Sequence, residues 1–446
     1  MTQENKADIL SSLIEATIKA GADAADASLA TSESLSVEVR NGALEGVERE
    51  EAGGVSLRAL VGQRQAHVSG SDMSPDGLKA MVERVVAMAK AAPEDKYCGI
   101  TPADEIATEY VNLMLEGDEC PSADLLKERA LEAEAAALEV SGVQQTGHAG
   151  ATWSASTGYV AASNGFSAMK VGGSTSVAVM AIAQKDGAME RDYDSWAKRK
   201  YADMPTPASV GLSAGQRAVA RLGAQKIKSQ TAAIIYDNRL SSRLISSFVS
   251  AISGPAVARG VSFLKDKMGE QVFAAGVDII DNPLEISGWG SRWFDGEGRP
   301  VSKKKLIDDG VLTQWLLSGP SAKQLGLKPN GMASSGFGDP PGVTTTNLNL
   351  AAGELDQAGL MKQAGSGLLV TDMFGPSINS NTGDYSVGVS GFWFEGGDIV
   401  HPVSEVTIAG DLPSMFKRLI PGSDLENRGS TNAPSILIDG MSLAGL

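Results

Sequence analysis

The sequence predicts an α+β fold: N-terminal helix-plus-antiparallel-sheet units followed by a larger, mainly antiparallel β-rich C-terminal domain. Two switches from helical spacing to strand-like segments, to alternation after Gly21 and to short strands between glycines after Gly142, mark the units. The third sign is a run of strand-like segments between Gly, Asn and Asp turns over residues 368–412, in a chain with 51 glycines to make such turns. At ~100 to 200 residues per domain, 446 residues divide into two or three domains. The boundaries fall at 1–95 for the first α+β unit, 96–121 for a linker rich in Pro and acids, 122–228 for the second unit and 229–446 for the β-rich domain.

Taken in order, Ile9, Leu10, Leu13, Ile14 and Ile18 recur at spacings of three and four, which makes a helix that Gly21 ends. Leu35, Val37 and Val39 then alternate with polar residues up to Asn41-Gly42, a hairpin signal. Val55, Leu57 and Ala59 alternate again before Gly62, and a further strand is expected from Gln63 to Val68. Ser74-Pro75-Asp76 opens a second helix with a capping hydroxyl and a first-turn proline. Ser122 caps a third, which runs through Leu126 and Ala130 toward Gly142. Four short strands are expected next, over 143–149, 152–156, 159–162 and 166–172, then a pair across Lys185-Asp186-Gly187 and a helix over 208–222. Each unit thus runs helix, antiparallel strands, helix, as two structural repeats or two related layers. In the last domain, 231–236 reads as a strand and Asn238 begins a helix with Leu240, Leu244, Ile245, Phe248 and Ile252 inward. A strand over 312–317, one helical turn over 322–325 and a surface helix over 355–364 precede strands at 368–370, 386–395 and 399–408.

A net charge of −16 argues against a nucleic-acid groove, which concentrates Lys and Arg. The basic run Lys303-Lys304-Lys305 reads as a solvated strand edge. Cys98 and Cys120 are the only cysteines, so no disulfide framework is implied. The start, MTQENKADIL, has no apolar signal core, and no apolar run reaches the ~18 residues that span a bilayer. The expectation is a cytoplasmic protein without membrane or nucleic-acid partners.

Chemistry-bearing motifs are few. His67, His148 and His401 each stand alone, with no second His one helical turn away to share a zinc ion. Gly211-Leu212-Ser213-Ala214-Gly215 fits a nucleophile elbow, but Met204-Pro205-Thr206-Pro207 before it cannot be the central strand an elbow needs. The Gly-rich stretch 336–342 has prolines where a phosphate cradle needs N–H donors. Asp295 and Glu297 sit in a glycine-flanked turn that reads as a solvated hairpin tip rather than a cation site. The densest polar connection is the loop carrying Ser377, Asn379, Asn381, Thr382, Gly383, Asp384 and Tyr385, with His401 on the neighbouring strand. Loops held by several strands are common sites of function.

Several segments together resemble the TldD/PmbA family. They are Ala24 to Asp26 with Val37-Glu38-Val39-Arg40-Asn41-Gly42, the turn Phe294-Asp295-Gly296-Glu297-Gly298, Asp309-Gly310-Val311-Leu312, Thr382-Gly383-Asp384-Tyr385-Ser386, and Pro402 to Gly410. The resemblance runs over nearly the whole chain, in the right order. It implies two branches: TldD, a zinc metallopeptidase with His-Glu-x-x-x-His on a helix and a cysteine near the C-terminus, and PmbA, also called TldE, its partner subunit without those ligands. This sequence sides with PmbA. Ser246, Ser247 and Ala251 stand at the first His, the Glu and the second His, and Ala433 stands where the cysteine would fall.

The resemblance therefore implies a non-catalytic subunit of a TldD–TldE zinc protease acting on unfolded or extended peptides. No catalytic or metal-binding residue is expected in this chain, and the zinc is expected in the TldD partner. The loop from Ser377 to Tyr385 is the candidate peptide- or partner-facing surface. The family is also described as a modulator of DNA gyrase, which the acidic charge would confine to an indirect effect. Two other readings stay open: a homodimeric peptide-binding protein that works without TldD, and an independent hydrolase using Ser213 or a carboxylate pair.

Overall fold

The N-terminal alternations become very long strands. In the computed structural model, which describes residues 3–334 and 340–446, α1 (Gln3–Lys19) leads into β1 (Ala24–Arg40), β2 (Ala43–Val61), β3 (Arg64–Gly70) and α2 (Pro75–Ala91). Asn41 and Gly42 turn β1 into β2 with φ of 52° and 74°, the doubly positive geometry that matches strand twist. The Ser74 hydroxyl caps α2 by accepting from the Gly77 N–H. The order then repeats with α3 (Ala123–Leu138), β4 (Val143–Ala162), β5 (Ser167–Lys185), β6 (Ala188–Lys198) and α4 (Pro207–Ala220).

One expectation is corrected here, and of the two readings of the units, repeats or layers, the repeats hold. The four short strands after Gly142 are the two long strands β4 and β5, because glycines read as breaks sit inside a paired sheet. At Gly150, for example, a Cβ would meet the Val37 carbonyl at 3.1 Å. The six strands also form one sheet, ordered β3-β2-β1-β4-β5-β6, in which β1 and β4 pair antiparallel from Asp26↔Ala162 to Val39↔Ala149. The two units are therefore halves of a single sheet.

All four helices cover the same face. Ala25, Ala27 and Leu29 pack under α1 and α2, while Leu35, Val37 and Val39 pack under α3 and α4. Odd-numbered residues of one strand share a face. The opposite face carries small hydroxyls, among them Ser32, Ser34, Ser154 and Ser174, the last two bonded to each other at 2.8 Å. The presumed linker is a strap tied to other elements: Ala107 N–H donates to Gly298 O at 2.8 Å, and Leu113 O accepts from Ser287 N–H at 2.8 Å.

The C-terminal domain begins with β7 (Gln230–Tyr236), α5 (Asn238–Ala251) and α6 (Gly254–Ala258). It continues through β8 (Ile279–Asp281), β9 (Lys304–Asp308), β10 (Val311–Leu312), α7 (Gly319–Leu325), β11 (Ala333–Ser334), β12 (Gly342–Val343) and β13 (Leu348–Leu350). It closes with α8 (Gln357–Ala364), β14 (Ser366–Ile378), β15 (Asp384–Glu395), β16 (Asp398–Asp411), α9 (Leu412–Lys417), β17 (Ile420–Pro421), β18 (Thr431–Asn432) and β19 (Ile436–Ala444). The expected strand over 312–317 shortens to β10, followed by irregular chain that buries Trp315, Leu316 and Leu317. Most of the glycine-rich stretch 336–342 lies outside the described residues.

The main C-terminal sheet runs β16-β15-β14-β7-β19-β17, and β16 also pairs with β19, so five of its strands close into a ring. Closure pairs each of the five strands on both sides over part of its length. Side chains of α5 fill one side of this sheet, and Leu360 and Met361 of α8 pack on the other. Arginines join the two sheets. Arg221 reaches Asp192 of β6 and Asp372 of β14 at 3.5 and 3.2 Å, and Arg428 reaches Asp194 at 3.0 Å. No helix among the described residues is long and apolar enough to cross a membrane.

Candidate functional site

The candidate loop is the tip of the β14–β15 hairpin. Asn379 N–H donates to Asp384 O at 2.9 Å, Gly383 N–H to Asn379 O at 2.8 Å, and Asn381 N–H to Asn379 Oδ1 at 3.0 Å. The Thr382 hydroxyl donates to Asp384 Oδ2 at 2.6 Å. Several of its polar groups thus bond to one another. Ser377, Asn379, Asn381, Thr382 and Asp384 are exposed, whereas Gly383 and Tyr385 are buried. Burial pushes the Tyr385 phenol up to about 12, against opposing influences from Tyr236 and Arg243.

His401 is not part of this cluster. It pairs with Trp393, eight residues along β15 from Tyr385 and so roughly 27 Å away at strand spacing. His67 faces Arg58 across β2 and β3, and His148 lies on β4 near Glu38. Among the described residues, no group of three or more His, Cys, Asp or Glu could hold a metal ion.

Ser246, Ser247 and Ala251 lie on α5, where the two hydroxyls donate back to the carbonyls of Ser242 and Arg243 at 2.9 and 3.3 Å. Short strand β18, next to Ala433, lies beside this helix. The loop is tethered to the helix end: Ser262 donates to Ala251 O at 2.5 Å, and Phe263 N–H donates to Ser380 O at 2.9 Å. The hairpin tip and the three helical positions are therefore parts of one neighbourhood.

Ser213 is not on an elbow but inside α4. The flanking Gly211 and Gly215 let α4 touch α3, since a Cβ on Gly211 would come within 1.9 Å of the Ala133 carbonyl. The Ser213 hydroxyl serves Asp194. Burial raises that carboxyl, but Arg217, Ser213 and Arg428 outweigh it and hold it below its ordinary value.

The Asp295–Gly298 turn overturns its expected solvation. Asp295 is 1% exposed and accepts from the N–H groups of Glu297, Arg299 and Ala333 at 2.9, 2.9 and 3.3 Å. Glu297 bonds Arg299 at 3.1 Å and the Gly319 N–H at 2.6 Å. Burial pushes both carboxyls above their ordinary values. The turn binds the strap, the N-terminal sheet and the C-terminal domain together, through Thr101, Ala107 and Phe166.

Comparison with known proteins decides the family. The chain matches PmbA/TldA metallopeptidase domain 1 over residues 25–89, the central domain over 116–222 and the C-terminal domain over 229–445. It is 32% identical to the metalloprotease PmbA of an Escherichia coli strain over 426 residues, 95% of this chain and 92% of that one. The chain belongs to the PmbA/TldD family. A Haemophilus influenzae metalloprotease PmbA homolog is likewise 32% identical, over 97% of this chain and 94% of its own. Among solved structures, a candidate modulator of DNA gyrase from Bacteroides thetaiotaomicron superposes with a TM-score of 0.92 at 25% identity, covering 100% of both chains. TldE from Thermococcus kodakarensis shares the fold, with a TM-score of 0.85 at 18% identity, covering 98% of this chain and 100% of that one.

A PmbA/TldD chain raises the question of zinc. Zinc takes Cys, His, Asp or Glu ligands. Ser246, Ser247, Ala251 and Ala433 offer none of these, so those four positions do not fit the ion. Lys170, Arg199 and Arg292, which the sequence reading did not single out, line one cleft beside the strap. The signal was the run Gly288-Trp289-Gly290-Ser291-Arg292-Trp293-Phe294, unusually dense in aromatics for a turn-rich segment.

Proposed function

We propose that this chain is the non-catalytic, PmbA/TldE-type subunit of a two-subunit zinc protease whose cutting subunit is of the TldD type. Its substrates are unfolded or extended peptides, and its compartment is the cytoplasm. The observation that carries this reading is α5 itself. The helix that the resemblance equips with two imidazoles and a carboxylate carries two self-bonded serines and an alanine, and alanine also stands at the cysteine position. Without those groups a water molecule has neither Lewis acid nor general base to activate it there. The hairpin tip beside α5 supports a role at the junction with the partner or its peptide, since it is exposed yet anchored by Phe263 and Ser380.

The test is peptide cleavage by the purified chain, by its cognate TldD-type protein, and by the two together, each with a zinc determination. The expected result is that only the mixture cuts and that the zinc resides in the TldD-type subunit. Stoichiometric zinc and cleavage in this chain alone would overturn the reading, and a stable homodimer that binds peptide but ignores the TldD-type protein would replace it with the binding-protein alternative.

A further inference from the structure

The first half of β2 is an open sheet edge. Every residue from Ala43 to Gly53 is exposed, and this stretch pairs with β1 alone, because β3 joins β2 only from Val55 to Val61. A Cβ added at Gly46 would meet nothing within 4 Å. Alternate residues along such an edge aim their N–H and C=O groups at solvent, which is a template on which another strand can pair. The open stretch is longer than an ordinary whole strand of about five or six residues.

The register with β1 sorts its side chains onto two faces. Leu44 lies opposite Val39 and Val47 opposite Val37, on the face that the helices cover further into the sheet. At the edge that cover has ended, and the two side chains are 47% and 49% exposed. Glu48 lies opposite Ser36 and Glu50 opposite Ser34, on the hydroxyl face. Neither of these carboxylates has an ion-pair partner among the described residues. The stretch also holds Glu45 and Glu51 against a single cation, Arg49, which is already tied to Glu33 and Glu51.

Proteins close exposed edges with Lys, Pro, bulges or very short strands. This edge has no Lys and no Pro, and one bulge, where Glu45 is left over between Leu44 and Gly46. Repulsion among glutamates keeps like edges apart, but repulsion alone gives no reason for two half-exposed aliphatic side chains on the other face. Charge of one sign next to an apolar strip selects a partner instead of excluding all of them. A second copy of this chain would bring the same four glutamates to the junction, and like charges opposed across a strand pair are destabilising.

We infer that β2 from Leu44 to Ala52 is a docking edge for an extended segment of a partner protein in which Lys or Arg alternates with aliphatic residues. The cations of that segment meet Glu48 and Glu50 on one face, and its aliphatic side chains cover Leu44 and Val47 on the other. Main-chain hydrogen bonds supply affinity in such strand addition, and the alternate side chains supply specificity. Nothing in this edge depends on the protease reading.

The experiment is titration of the purified full-length chain with a fluorescent peptide of alternating sequence, Lys-Val-Lys-Val-Lys-Val-Lys, blocked at both ends. It is run at pH 7 and about 0.15 M salt, where long-range attraction to an acidic chain is screened. Two controls share its charge: a block isomer with four Lys followed by three Val, and the alternating peptide N-methylated at its three central residues, which stops pairing along either of its edges. The alternating peptide is expected to bind at least tenfold more tightly than both. Glu48→Lys combined with Glu50→Lys changes only exposed side chains, and circular dichroism checks that the variant is folded. It is expected to lose the Lys-Val peptide and to bind the corresponding Glu-Val peptide instead. No binding, equal binding of either control, or undiminished binding of the Lys-Val peptide by the double variant would overturn the inference. So would sedimentation showing a dimer of the chain that Leu44→Lys with Val47→Lys dissociates, since the edge would then belong to a second copy. No cleavage enters these measurements, so their failure and that of the protease reading are told apart.

Discussion

The hairpin tip at 379–383 and the turn at 295–298 are both short, polar, glycine-containing connections, and they have opposite fates. The tip is exposed, and many of its bonds run within itself, from Asn379 to Asp384 and from Thr382 to Asp384. The turn is buried, and its bonds run outward to Thr101, Ala107, Gly319 and Ala333. Local composition announces a turn in both cases, but only distant chain decides whether water reaches it. A connection that faces solvent is free to change for recognition, whereas one whose carboxylates satisfy buried N–H groups is fixed by the cost of removing them.

The largest expected effect follows directly. Asp295→Ala removes the acceptor of three N–H groups at a site that is 1% exposed. It should destabilise the fold by at least about 1–3 kcal/mol, the cost of leaving a buried donor unsatisfied. Urea unfolding followed by fluorescence measures it. A midpoint within error of the unsubstituted protein would show that the turn is as dispensable as the tip.

A smaller effect separates charge from hydrogen bonding. Burial raises Asp295 and Glu297 above their ordinary carboxylate range, so the folded state holds their protons more tightly than the unfolded chain does. Their contribution to stability is fully present below the unfolded values near 3.8 and 4.5 and is lost as pH rises through the raised ones. Asp194 and Asp278, held low, act in the opposite direction. The readout is therefore the difference between the protein and Asp295→Asn, which has no proton to lose. The melting midpoint of the unsubstituted protein should fall relative to the variant between pH 4 and pH 7, and a difference that stays constant would mean the turn's charge is already compensated.

What the sequence disclosed and what it withheld divide along the same line. Turns and caps written in adjacent residues were legible, as at Asn41-Gly42, Ser74 and Ser122, and so were β14, β15 and β16 from their apolar, β-branched and aromatic runs, whereas β19 was not read. The joining of β1 to β4 was not, because residues such as Leu35 and Trp153 are partners only through the sheet. The burial of Asp295 was hidden for the same reason, since the Ala333 N–H that it accepts from lies 38 residues further on. The loop from Ser377 to Tyr385 was legible as a loop, but its last member, Tyr385, belongs to the core.

That distinction shapes the smallest expected stability effect, which is also the sharpest test of the tip. Replacing Asn381 to Tyr385 wholesale would confuse recognition with folding, because Gly383 and Tyr385 are buried while Asn381, Thr382 and Asp384 are exposed. Asn381→Ala, Thr382→Ala and Asp384→Ala should each change stability by no more than about 0.5 kcal/mol, as surface substitutions do. Combined, they should leave the chain's association with a TldD-type protein or its peptide cleavage measurably weakened, read by sedimentation and by a fluorogenic peptide respectively. If the triple variant folds, assembles and supports cleavage like the unsubstituted chain, the tip is ordinary surface. The contrast with the buried turn would then mark only the difference between a solvated loop and a structural one.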